Sequence, residues 1–190
     1  FIIDESTKNA LIASDPKSCE LIRPILRGKD IKRYTYNFAN LWLIYIPWHF
    51  PLQNDQNIKG ASVKAEEEFK KQYPAVYSYL EGHKEKLSKR NKAETGIRYE
   101  WYALQRWGSN YSDDFNKQKI IYPNMTKYLP FYLDNNNFYV NQKCFIITGR
   151  NLGYLTAFLN SKLFKYCFRD SFPQLQGGTR ELSKIFFEKI

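Results

Sequence analysis

"LIRPILRGKDIKRY", residues 21–34, gathers Arg23, Arg27, Lys29, Lys32 and Arg33 around one glycine, Gly28, and one acid, Asp30. Cations this close repel one another. Either water and separate faces disperse them, or an anionic surface sits against them. Gly28 suits a turn inside the run.

The question extends along the chain. Its formal net charge is +10, and the excess is uneven: from Asn116 to Arg169 the basic residues are Lys117, Lys119, Lys127, Lys143, Arg150, Lys162, Lys165 and Arg169, and the sole acid is Asp134. A polyanion is the natural partner of such a stretch; the competing reading is a basic surface that serves only solubility. With 190 residues, 43% of them hydrophobic and 17% aromatic, the chain can build a normal core and is excluded from the disordered class. Cys19, Cys144 and Cys167 lie too far apart to signal a zinc site or a disulfide framework, and fit free thiols in a reducing compartment. With no signal peptide and no apolar run of about 18 residues, a cytoplasmic protein without membrane contact is expected. The chain opens on "FIID", which reads as the middle of a strand, and closes on "ELSKIFFEKI", as a piece of a larger protein would.

"LWLIYIPW", residues 41–48, reads as a buried strand closed by Pro47 and Pro51. A polar loop follows to Gly60. Ser62 then suits the N-cap of a helix through "VKAEEEFKKQ", whose early glutamates complement the helix dipole. Pro74 is tolerated in a first turn, so a second helix is expected from Pro74 to Arg90, with Val76, Leu80, His83 and Leu87 on one stripe. Beyond Tyr99 the pattern is one of short strands. "EWYALQRW" alternates, "KIIYPN" suits an inner strand, "LPFYLDNNNFYV" suits a hairpin turning at Asn135 to Asn137, and "CFIIT" adds another strand. Asn151 is placed to cap the apolar helix "LGYLTAFLNSKLFKYCF", and Thr179 to cap a last helix after the Gly177–Gly178 loop. No repeat is visible, and a single mixed α+β domain is expected.

No catalytic constellation assembles. P-loop, nucleophile elbow, HExxH and GxGxxG motifs are absent. Asp113–Asp114 and Glu66–Glu68, the carboxylates a Mg²⁺ nuclease would need, read as a turn and a helix start. Binding is better supplied, since Lys and Arg reach phosphates while Arg, Lys, Asn and Gln pair with base edges. "LQRWGSNY" offers Gln105, Arg106, Trp107, Asn110 and Tyr111 at a strand end, although Trp101 and Trp107 also read as core anchors with Arg106 over one ring.

Taken in order, "LIRPILRGKDIKRY", "YPAVYSYLEGHKEKLSKRNK", "WYALQRW", "KIIYPNM" and "YLTAFLNSKLFKYCF…GGTRELSKIFFEKI" resemble the TaqI-like C-terminal specificity domain, from about Cys19 to the end. That domain is the target-recognition part of single-chain restriction-modification methyltransferases of type IIG and their relatives. The "LNSKL…GG…LS" tail is also similar to the specificity subunits of type I systems. The resemblance implies an α+β fold, a mixed or antiparallel twisted sheet with flanking helices, across residues 1–190, and sequence-specific recognition of double-stranded DNA. It further implies an N-terminal S-adenosylmethionine-dependent adenine methyltransferase in the same chain, which flips its target base, and in some relatives a Mg²⁺-dependent endonuclease. "YPNM" at residues 122–125 does not substitute for the Asn-Pro-Pro-Tyr motif of such methyltransferases, so no catalytic residue, metal or cofactor is assigned to this chain itself.

Because "PILRGKDIKRY" recurs in the family whereas base readers vary, the resemblance assigns Arg27, Lys29, Lys32 and Arg33 to backbone phosphates or to docking on the methyltransferase. Lys89, Arg90, Arg150, Thr179 and Arg180 join that class, and Arg106, Asn110, Lys127 and Gln176 are the expected base readers. Relatives often carry a basic residue before the aromatic of the strand after "KIIYP"; here the segment is Leu129-Pro130-Phe131, and no contact carries over. Three alternatives stay open: an RNA-binding domain whose Tyr and Trp stack on unpaired bases, a small Mg²⁺-dependent nuclease, and a module that docks only to protein.

Overall fold

The computed structural model describes residues 1–188. In chain order the elements of the first half are β1 (Ile2–Asp4), α1 (Glu5–Ser14), β2 (Ile22–Leu26), β3 (Ile31–Lys32), β4 (Thr35–Tyr36), β5 (Leu41–Ile44), α2 (Val63–Gln72), α3 (Pro74–Glu81) and α4 (Lys84–Ser88). The second half adds β6 (Lys119–Pro123), β7 (Met125–Thr126), β8 (Tyr132–Asp134), β9 (Tyr139–Val140), β10 (Cys144–Ile147), α5 (Leu152–Leu159), α6 (Lys162–Phe168), β11 (Arg180–Glu181) and α7 (Lys184–Phe187). The result is the expected α+β class, built from several small antiparallel and mixed sheets. The chain gathers into two compact units, one of Phe1–Arg23 with Trp42–Asn110, the other of Pro24–Leu41 with the residues from Tyr111 onward.

The first unit is aromatic at its centre. Phe69 is ringed by Phe50, Tyr73, Tyr77 and Tyr102, and Trp101 meets Tyr77 edge-on. Asp4 caps α1 by accepting the Thr7 N–H at 2.8 Å, and Ser62 caps α2 by accepting the Ala65 N–H at 3.2 Å. Glu66, inside the first turn of α2, gathers Tyr77, Lys84 and the Trp101 indole N–H on one carboxylate oxygen. Buried Glu100 accepts the backbone N–H groups of His49 and Ser62 and meets His49 Nδ1 at 3.1 Å.

Two expectations fail here. The helix begun at Pro74 stops at Gly82 and resumes as α4, which leaves His83 exposed while Val76, Leu80 and Leu87 are buried. "EWYALQRW" forms turns, because Arg90 Nη2 donates to the carbonyls of Trp101 (2.7 Å) and Ala103 (3.0 Å) where a strand partner would otherwise stand. Arg90 is thereby a structural clamp.

The second unit is organised on β6, whose five residues are all buried. It pairs antiparallel with β10 on one side and β8 on the other. Ile120, Tyr122 and Phe131 pack against Leu152, Leu159 and Phe164 of α5 and α6 and against Leu182, while Ile121, Leu26 and Ile31 form a further cluster with Tyr132 and Phe138. Lys119 and Asp134 face each other across β6 and β8, Nζ to carboxylate 2.6 Å, both side chains fully buried.

The segment read as a hairpin is not one. The Asp134 carboxylate takes the N–H groups of Asn136 and Phe138, which turns the chain away from β8 and lets β9 pair in parallel with Ile25 and Leu26 of β2. The long apolar helix is likewise cut in two after Leu159, where Asn160 bonds both backbone groups of Phe131. Asn151 sits in the left-handed region at φ 55° and caps nothing with its side chain. Nor does Thr179 start a helix: Arg180–Glu181 pairs with Met125–Thr126 as a strand, and α7 begins at Lys184.

Candidate nucleic-acid interface

The opening stretch folds into a tight knot inside the second unit. Gly28–Asp30 forms a short 3₁₀ turn, and Asp30 is 4% exposed although it is an acid. It is kept there by Arg27, whose Nε and Nη2 reach the two carboxylate oxygens at 2.9 Å each, and whose backbone N–H donates to one of them. Burial alone would raise the Asp30 carboxyl; the Arg27 guanidinium and N–H outweigh that and hold it below the usual aspartate range. Gly28 stands at a close approach: a Cβ there would meet the Lys143 carbonyl oxygen at 3.1 Å and Pro123 Cβ at 3.4 Å.

This clamp makes a pH prediction. A carboxylate whose pKa is lower folded than unfolded adds stability that is complete above about pH 3.9 and disappears as pH falls through the folded value. Asp30→Asn is therefore expected to destabilise at neutral pH by about 1.5–3 kcal/mol, and to show a smaller loss of stability than wild type between pH 4 and lower values in acid unfolding followed by circular dichroism.

Around the knot the unit opens into a concavity of about 850 Å³. Its rim carries Arg27, Lys29, Lys32 and Arg33 from the opening stretch, Lys143 from the loop before β10 and Lys165 from α6, with Met125 and Thr126 of β7 and Tyr128 just after it. A smaller one of about 420 Å³ adjoins it, sharing Tyr128 and Lys165 and adding Lys127, Tyr166 and Arg169. Arg33 is fixed by an Nε donation to the Asn160 carbonyl at 3.1 Å and lies over the Tyr34 ring. Lys32 Nζ donates to the Lys29 carbonyl at 3.0 Å.

The electrostatics are one-sided. Among the described residues, the ion pairs of this unit engage Arg27, Lys117, Lys119, Arg180 and Lys184, and none engages Lys29, Lys32, Arg33, Lys127, Lys143, Lys165 or Arg169. Partial burial and the neighbouring Arg33 charge hold the Lys165 ammonium below the usual lysine range.

The structure thus brings together Arg27, Lys29, Lys32 and Arg33, and places Lys127 beside them. It does not bring in the rest. Lys89, paired with Glu85, and exposed Arg106, 3.9 Å from Glu94, belong to the first unit, as do Arg90 and exposed Asn110. Arg150 and Gln176 are exposed but do not line the concavity, and Thr179 Oγ1 is spent on the Gln176 carbonyl. Arg180 is 8% exposed, with Nη1 on the Phe172 carbonyl and Nη2 on Asp170, so it braces β11 and is not available to a phosphate. Lys143, Lys165 and Tyr128, which the sequence does not single out as site residues, line the same concavity. The run of bases without acids contained all of these lysines, but nothing in the spacing of residues 127, 143 and 165 says that they converge.

The described residues contain no group of three or more His, Cys, Asp or Glu side chains placed to hold a metal ion. No helix among them is long and apolar enough to cross a membrane.

Residues 23–190 match the TaqI-like C-terminal specificity domain, and the chain belongs to that family. A search of curated proteins found no match. Among solved structures, the type IIL restriction-modification enzyme MmeI in complex with DNA is similar in fold, with a TM-score of 0.50 and 15% identity. The similarity covers 93% of this chain and 23% of MmeI, so the chain spans under a quarter of that enzyme's length.

Proposed function

We propose that this chain is the DNA target-recognition part of a restriction-modification enzyme, and that it grips duplex DNA through the basic concavity of its second unit. The observation that carries the reading is the convergence of Lys29, Lys32, Arg33, Lys143 and Lys165 on one concave surface without acidic partners, in a member of a specificity-domain family. These residues contact phosphates, which position the protein without reading sequence. Arg27 acts indirectly, holding the turn through Asp30. Sequence is read by Lys127 beside the concavity, and by Arg106, Asn110 and Gln176, which do not line it.

In this proposal the rest of the enzyme is an N-terminal domain of the same polypeptide that methylates adenine with S-adenosylmethionine, working in the cytoplasm, and an endonuclease where one is attached. The division of labour is physical. A base must leave the stack to be methylated, so one part handles the flipped adenine while the other holds the duplex in register.

Competition at one salt concentration tests duplex against the single-stranded alternative. Unlabelled mixed-sequence duplex DNA is expected to displace a labelled duplex at least about tenfold more effectively than single-stranded RNA of equal length. Equal or better displacement by RNA would favour the RNA-binding reading.

A further inference from the structure

The loop between β6 and β8 is more firmly built than its exposure requires. At its start the Asn124 N–H donates to the Lys143 carbonyl (2.8 Å) and the Asn124 carbonyl accepts the Leu182 N–H (2.7 Å). Met125–Thr126 is paired with Arg180–Glu181. At its end Leu129 is 1% exposed and packs in the core with Phe131. Between these anchors the Tyr128 N–H donates to Thr126 Oγ1 at 3.0 Å, and Leu129 takes φ 47°, a left-handed conformation that costs a bulky L-residue energy and persists only where its surroundings impose it.

The product of this turn is Tyr128. The residue is 76% exposed, and among the described residues its ring meets no other ring and its hydroxyl has no hydrogen-bond partner. Single exposed aromatics are common, and Tyr154 and Tyr166 owe theirs to helical faces. Tyr128 differs in that a strained backbone presents it, and in where it stands: on the rim shared by both concavities, between Lys127, Lys165 and Arg169.

A flat apolar face set among cations suits a partner that is itself flat and apolar between anionic groups. In a polyanion of duplex DNA that partner is the face of a base, with the lysines reaching the phosphates on either side. We infer that Tyr128 is a wedge that stacks at a base step of the bound duplex and opens it. The inference rests on the DNA-binding reading above. The firm loop then has a purpose: a wedge that must part stacked bases cannot be on a floppy tip, because the work of opening would go into bending the loop.

A duplex whose step is already open removes that work, so the test compares an intact mixed-sequence duplex with the same duplex carrying one abasic site. Wild type is expected to bind the abasic duplex about tenfold more tightly. Tyr128→Ala is expected to lose the preference and Tyr128→Phe to keep it, since the ring face does the work. Both variants are expected to melt with wild type, because the ring supports no core. Equal affinity of wild type for the two duplexes, or a preference that survives in Tyr128→Ala, would overturn the wedge while leaving DNA binding intact. Failure of wild type to bind either duplex would overturn the reading on which the wedge rests, and the wedge with it.

Discussion

Lys119→Met is expected to destabilise the second unit by about 3–5 kcal/mol, measured by urea unfolding, with a fall in midpoint and little change in slope. Lys119 is 0% exposed, and its ammonium donates to Asp134 (2.6 Å) and to the Phe115 carbonyl (2.7 Å). Methionine fills the stem but leaves the Asp134 charge buried with only the Asn136 and Phe138 N–H groups for support. An unpaired buried charge costs far more than an exposed ion pair contributes. Lys117→Met removes a pair of similar length to Asp114 on the surface and is expected to leave the urea midpoint close to that of wild type. The contrast separates two lysines that stand two positions apart in one basic run.

The other large effect is on binding. Replacing Lys32, Arg33 and Lys165 together with Gln is expected to weaken affinity for duplexes of every sequence by at least about a hundredfold, near 2.8 kcal/mol. Each charge lost removes one phosphate contact worth about 1 kcal/mol, so three account for a loss of that size. Arg33 also donates to the Asn160 carbonyl, so the triple variant is expected to lose about 0.5–1.5 kcal/mol of stability, and the affinities are compared where both proteins are folded by circular dichroism. A loss confined to one target sequence would instead make these residues base readers.

What the sequence showed and what it hid divide along physical lines. The Ser62 cap, Pro74 in a first helical turn and the all-buried strand at "KIIYP" are local: a hydroxyl, a missing N–H and a run of apolar residues act within a few positions. The errors share another cause. Arg90 replaces a strand partner at Trp101 and Ala103, Asp134 diverts a hairpin, and Asn160 ends a helix by binding Phe131; in each case one polar side chain satisfies backbone groups that periodicity cannot see. The same holds at the interface. Charge density singled out residues 23–34 and the resemblance gave the family, but Lys143, Lys165 and Tyr128 line the same concavity as Arg33 only through tertiary folding. Arg27 and Arg180 show the converse: a cation in a basic run can be taken up inside the fold, Arg27 by Asp30 and Arg180 by the Phe172 carbonyl and Asp170.

The most direct test of the account is the salt dependence of duplex binding by the unsubstituted chain and by the Lys32, Arg33 and Lys165 triple variant. A plot of log affinity against log salt is expected to be steep for wild type and shallower by about 0.9 for each phosphate contact removed, roughly 2.7 in all. The same slope for both proteins, or no binding by wild type at low salt, would contradict the assignment of this concavity to the DNA backbone.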